Sequence, residues 1–214
     1  MPLKPKDIRN YKNDLELLCK YASKCKFIIE TGGGGLSTKY LSKIACDFGI
    51  KFVSIELFKK RSDKKIRGVE YKEGWSISYK DMIKKGDKDF FETRKFKNQA
   101  TKKSLNFLDM RIAHRDEKIM YKYGEVDLIR KTLDETDIPL DFFFCDTGEY
   151  CGLAEWNIVK NRIKKGGYFA IHDIYYPKSI KGFKVREKIE KSKNWKRIEI
   201  TKNKQGLLIA QKIK

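Results

Sequence analysis

KFIIETGGGGLSTKYLSKIACDFGIKFVSIE, residues Lys26–Glu56, is the stretch that decides the fold. Phe27, Ile28 and Ile29 form a short apolar run of the kind that makes a strand buried on both faces, and Glu30 closes it with a carboxylate. Four glycines, Gly32–Gly35, then free the backbone to take positive φ and to meet a ligand without an intervening Cβ. Leu36, Tyr40, Leu41, Ile44 and Ala45 recur at helical spacing, with Ser37 or Thr38 as the expected N-cap. Lys51–Ile55 reads as a second strand, and Glu56 stands at its carboxyl end, where an acid can accept both hydroxyls of a ribose. Strand, turn, helix, strand and acid in this order point to a nucleoside-type ligand. A P-loop is disfavoured because no Lys precedes Ser37 or Thr38. The dinucleotide fingerprint fails because its third glycine position, counted from Gly32 and Gly34, is Ser37.

Working outward, Ile8, Tyr11, Leu15, Leu18 and Tyr21 predict an amphipathic helix within residues 1–25 that serves for packing. After Glu56 come a basic stretch, Lys59–Arg67, and a brief third strand at Val69–Tyr71. Gly74, Trp75 and Ser76 follow at the strand end, where they are candidates to bracket a base by stacking and hydrogen bonding. Residues 87–123 contain neither Gly nor Pro and predict a helical insertion, a candidate substrate cap with a cationic side; His114 within it is read as a surface residue. A helix over Glu125–Leu133 precedes a buried strand, Leu140–Cys145, that ends at Asp146. A helix from about Leu153 to Lys164 is expected to stop at Gly166 and Gly167, with a strand over Tyr168–Ile171 ending in His172 and Asp173. A helix over Ile180–Lys191 and a closing hairpin, Trp195–Ile200 with Gly206–Lys212, complete the chain. The alternation predicts an α/β fold: a Rossmann-like, doubly wound, mostly parallel seven-stranded sheet with a C-terminal antiparallel hairpin, all in one domain over residues 1–214.

The chain has 214 residues, 40% of them hydrophobic, which suits one α/β domain. Its net charge of +20 invites phosphate partners, but the 49 basic residues are mostly Lys, whereas Arg is the better bidentate phosphate ligand. Five cysteines with no C-x-x-C pair give no disulfide framework and no zinc site. The sequence has no signal-peptide pattern and no apolar run of membrane-spanning length, so a reducing, cytoplasmic location with no membrane attachment is expected.

These residues together resemble a class I S-adenosylmethionine-dependent methyltransferase. The resemblance rests on Glu30-Thr31-Gly32-Gly33-Gly34-Gly35, Glu56, Asp146, Gly166-Gly167 and His172-Asp173, and spans residues 26–213. It implies that Glu30, Gly32 and Gly34 contact the amino-acid part of the cofactor, Glu56 the ribose, and Gly74, Trp75 and Ser76 the adenine, with Asp146 adjoining the cofactor at the fourth strand end. The Asp146 loop and the run from Gly166 to Asp173 look most like small-molecule O-methyltransferases acting on sugars and natural products. Several of these bind a divalent cation, so Mg²⁺ at Asp146 and Asp173 is the corresponding expectation. His172 stands where the usual acid pair has another acid. The [DN]-P-P-[YF] signature of amino-group methyltransferases is missing, Asp146-Thr147-Gly148-Glu149 standing in its place.

The implied activity is methyl transfer to a hydroxyl of a small-molecule acceptor. His172 is the candidate general base, oriented by Asp173 or Asp146. With a metal, Asp146 and Asp173 would instead position the acceptor hydroxyl and lower its pKa. Two alternatives remain open at this level: an RNA-binding protein or RNA methyltransferase using the basic surface, and an NAD- or nucleotide-sugar-binding enzyme using the same glycine turn.

Overall fold

A computed structural model describes residues 5–57, 66–81, 125–148, 151–175, 181–203 and 206–214. The insertion expected over 87–123 and most of the basic stretch after Glu56 lie outside the described residues.

Seven strands form one sheet: β1 (Phe27–Thr31), β2 (Lys51–Glu56), β3 (Glu70–Glu73), β4 (Leu140–Cys145), β5 (Ile163–His172), β6 (Trp195–Ile200) and β7 (Leu207–Lys212). Their order is β3-β2-β1-β4-β5-β7-β6. The five strands from β3 to β5 run parallel, while β7 pairs antiparallel with both β5 and β6. This is the predicted sheet, closing hairpin included.

The period-2 geometry of a strand explains how the sheet is covered on both faces. On one face Ile29, Val53, Ile55, Phe143, Phe169, Ile171 and Leu208 join one core. On the other, Ile28, Phe52, Phe142, Phe144, Ala170 and Ile209 join a second. Helices α1 (Pro5–Ala22) and α2 (Leu36–Phe48) cover the second face through Leu15, Leu18, Leu41 and Ala45. Helices α3 (Leu128–Asp134), α4 (Gly152–Val159) and α5 (Lys181–Glu190) cover the first through Leu128, Ile129, Trp156, Val185 and Ile189. Within that core the rings of Phe143 and Phe169 stack at 5.7 Å, and Trp156 meets Phe169 edge-on at 4.8 Å.

Several boundaries differ from the sequence expectation, each for a local reason. Helix α2 begins at Leu36 with Gly35 as its N-cap and no side-chain cap, because the Thr38 hydroxyl is engaged with Glu30 instead. Helix α3 starts at Leu128, since residue 125 pairs with the segment after β3: Trp75 N–H donates to the Glu125 carbonyl at 2.8 Å. Helix α4 ends at Val159, and Gly166 and Gly167 lie inside β5 rather than stopping a helix. Ile163 already pairs with Leu140, and the next pair is Phe142 with Tyr168, so the surplus residues form a bulge in β5 that holds Gly166 at φ +82°. Gly167 is required there, because a Cβ would lie 2.7 Å from the Asp141 carbonyl oxygen.

Candidate active site

The carboxyl ends of the parallel strands come together where the connections diverge. From β1 the chain passes to α2 on one face, and from neighbouring β4 to α4 on the other. Open α/β sheets bind ligands at such a switch point. Here it brings the Gly32 turn against Asp146. Asp146 N–H donates to the Thr31 carbonyl at 3.1 Å, and a Cβ on Gly32, which has φ +76°, would lie 2.2 Å from the Asp146 carbonyl oxygen. Only glycine fits both the conformation and the approach.

Glu30 organises the turn from beneath. It is fully buried, and its Oε2 accepts the Thr38 hydroxyl at 2.6 Å and the Ser54 hydroxyl at 3.2 Å, while Thr38 Oγ1 in turn accepts the Gly34 N–H at 2.7 Å. Burial pushes the Glu30 carboxyl up to about 7, with Asp146 adding to the rise and the Ser37, Thr38 and Ser54 hydroxyls opposing it. Glu56 ends β2 with its side chain buried, and its carbonyl accepts the Gly74 N–H at 3.1 Å. Trp75 and Ser76 are buried as well. Trp75 packs with Val53, Ile55 and Leu128, and its Nε1 has no hydrogen-bond partner among the described residues. Ser76 donates to Glu155 Oε1 at 2.5 Å, and Thr31 donates to Glu155 Oε2 at 2.8 Å. Glu155 thereby ties β1, the segment after β3 and α4 together; burial raises its pKa.

Asp146, His172 and Asp173 also converge, with one potential ligand atom from each lying within 4.8 Å of the others. The imidazole is sandwiched. Its Nδ1 lies 3.7 Å from Asp146 Oδ1 and 3.5 Å from Asp173 Oδ1, and its Nε2 lies 3.5 Å from Asp14 Oδ2. Tyr11 meets the ring edge-on at 5.6 Å. Burial lowers the His172 pKa, but Asp14, Asp173 and Asp146 outweigh it and carry it to about 9. His172 is thus an imidazolium at neutral pH, enclosed by carboxylates, which disfavours the general-base role expected of it. Asp173 responds in the opposite direction. Burial raises it, but His172 and Lys181 together hold it down at about 2.

Three contributors to this centre were not read as site residues in the sequence. Asp14 and Tyr11 come from α1, which was expected only to pack. Asp14 is buried and accepts the Asn203 amide at 2.6 Å. Lys181, at the start of α5, has its Nζ 3.3 Å from Asp146 Oδ1, 3.4 Å from Asp173 Oδ2 and 2.7 Å from the Thr147 carbonyl. An acid on the apolar stripe of a helix was a readable signal for Asp14. Lys181 had none among so many lysines.

The glycine turn, the acid after β2 and the unmet indole donor fit S-adenosylmethionine. Mg²⁺ fits less well. It needs about six oxygen ligands near 2.1 Å, and two nitrogen groups already stand against the acid pair.

No family model and no curated protein matches the chain. Solved structures do. A methyltransferase from Geobacter sulfurreducens shares 11% identity over all of this chain and 91% of its own, with a TM-score of 0.55. The O-methyltransferase from Bacillus cereus, in complex with SAH, shares 15% identity over 99% of this chain and 82% of its own, with a TM-score of 0.51. An rRNA methylase from Streptococcus thermophilus shares 12% identity over all of this chain and 99% of its own, with a TM-score of 0.50. The chain has the class I methyltransferase fold. The resemblance drawn from the glycine turn and the two strand-end acids is borne out at that level.

Proposed function

We propose that the chain transfers a methyl group from S-adenosylmethionine to a hydroxyl of a small-molecule acceptor such as a sugar or natural product. The observation that carries this is the meeting, at one switch point, of the Gly32–Gly35 turn with an acid pair on the next two strands. Bound S-adenosylmethionine supplies an electrophilic methyl on a sulfonium. The chain's own task is to align the acceptor and take its proton.

Asp146 and Asp173 are assigned to the acceptor, because their side chains are 25% and 23% exposed while those of His172 and Lys181 are 6% and 3%. A hydroxyl donating to one of these carboxylates is held for in-line attack. Attack makes its oxygen an oxonium far more acidic than a carboxylic acid, so a carboxylate suffices as proton acceptor. His172 and Lys181 lie behind the pair and balance its charge. Glu56 is assigned to the ribose, Glu30, Gly32 and Gly34 to the amino-acid end, and Gly74, Trp75 and Ser76 to the adenine.

Calorimetry with S-adenosylhomocysteine tests the cofactor half. Glu56→Ala should weaken binding by about 1.5–3 kcal/mol, the scale of a hydrogen bond to a charged group, and unchanged affinity would remove the ribose assignment. Titration with NAD in the same cell should give no heat; binding would favour the dinucleotide alternative. A second acceptor class, RNA, is favoured by the net charge of +20 and by the fold shared with an rRNA methylase.

A further inference from the structure

We propose that Lys181 takes the place of a divalent cation at the Asp146–Asp173 pair, so that the reaction centre works without a metal. This deepens the methyl-transfer assignment and rests on it for the role of the two acids. The geometry itself does not.

Three of the four carboxylate oxygens of the pair face a nitrogen group. Asp146 Oδ1 faces both Lys181 and His172, Asp173 Oδ1 faces His172, and Asp173 Oδ2 faces Lys181, all at 3.3–3.7 Å. A hard divalent ion would need those oxygens at close range and would have to displace the ammonium. Lys181 is not placed to leave. Its side chain is 3% exposed, and Nζ is also fixed by the Thr147 carbonyl at 2.7 Å.

Two glycines build the seat. A Cβ on Gly182, the next residue, would lie 2.2 Å from the Asp173 carbonyl oxygen, so the first turn of α5 is pressed onto the end of β5. A Cβ on Gly152 would lie 2.9 Å from the Lys181 Cβ, so the first turn of α4 is cut away where the lysine stem passes. Asp173 itself takes φ 61°, a left-handed conformation that a non-glycine residue adopts at a cost, and that turn brings its carboxylate alongside the ammonium. Lys181 is therefore a positioning residue. It holds the two acids at a fixed spacing and places a positive charge between them, where a divalent ion would otherwise stand.

The test uses Mn²⁺ as a spin probe with the full chain, so it does not depend on knowing the acceptor. In electron paramagnetic resonance titrations the wild-type protein should leave the free Mn²⁺ signal unchanged. Lys181→Ala should sequester Mn²⁺ with one site per chain, Mg²⁺ should compete for it, and adding Asp146→Asn should abolish it. Lys181→Met, which keeps the stem's bulk, serves if the alanine variant does not fold and should likewise gain Mn²⁺. Once an acceptor is in hand, wild-type turnover should ignore EDTA. Lys181→Ala should lose up to about 100-fold, the scale of a misplacement of about 1 Å at a reacting centre, with partial recovery in Mn²⁺. Stoichiometric Mn²⁺ binding by the wild type that Asp173→Asn removes would overturn the proposal, as would a folded Lys181 variant that gains no affinity for Mn²⁺. Failure of S-adenosylhomocysteine binding would instead count against the methyltransferase assignment alone.

Discussion

His172 and Glu30 are each buried with their protonated form favoured, and both tie stability to pH. His172 is raised from 6.5 to about 9. The folded state then binds a proton that the unfolded chain has released, so this contribution is complete below pH 6.5 and is lost as pH rises through about 9. Glu30, raised from 4.5 to about 7, has the same sign at lower pH: its contribution is complete below pH 4.5 and gone above about 7. Melting temperatures should therefore fall in two steps. His172→Gln should flatten the step between pH 6.5 and 9, and Glu30→Gln the one between 4.5 and 7. Each step is worth at most roughly 3–4 kcal/mol at about 1.4 kcal/mol per unit. A wild-type melting temperature constant across the upper window would show that His172 is not the imidazolium its neighbours imply. Asp173 has the opposite sign. Lowered from 3.8 to about 2, it stabilises above pH 3.8 and loses that contribution as pH falls through about 2.

Helix α1 shows how a packing element comes to hold chemistry. Tyr11, Leu15 and Leu18 lie on one stripe, and Asp14 shares that side, so the contact that buries the leucines also delivers a carboxylate to His172. Tyr21 donates to Glu199 at 2.7 Å and anchors the same helix at β6. Asp14→Asn should keep the fold and move the upper pH step downward, because one of the acids that raise His172 is lost. An upper step that stays in place would confine Asp14 to a structural role. The helices and strands were legible because their apolar periods are strong and can be read within each segment, whatever it pairs with. The sandwiched imidazole was not, since it depends on residues 14, 146, 172, 173 and 181 meeting, and nothing in a linear sequence weights one lysine of many. The stop expected at Gly166 and Gly167 failed for a related reason. Glycine marks either a helix end or a strand irregularity, and only pairing with β4 distinguishes them. Gly182→Ala tests α5 in the same way: its Cβ has nowhere to go, and overpacking of about 1–3 kcal/mol should accompany a loss of turnover.

At the scale of the whole molecule, the chain carries a formal charge of +20, while the acid pair of the candidate site is balanced locally by Lys181 and His172. Long-range attraction to a polyanion and direct phosphate contact respond differently to salt from a hydrogen-bonded cofactor. Arginine, the residue suited to bidentate phosphate recognition, is scarce, and of the described arginines Arg130, Arg162, Arg186 and Arg197 are each paired with an acid on the protein, while Arg67 is exposed. A small-molecule enzyme with a lysine-rich surface should bind a generic RNA only through released counterions. Its affinity for RNA should then collapse between about 50 and 200 mM salt, with a steep linear slope in log–log form. Affinity for S-adenosylhomocysteine should be nearly flat across the same range. Filter binding with a structured and an unstructured RNA, alongside calorimetry for the cofactor, measures both. RNA affinity that survives the higher salt and prefers the structured probe would transfer the acceptor role to RNA, while leaving the cofactor assignment and the metal-free centre standing.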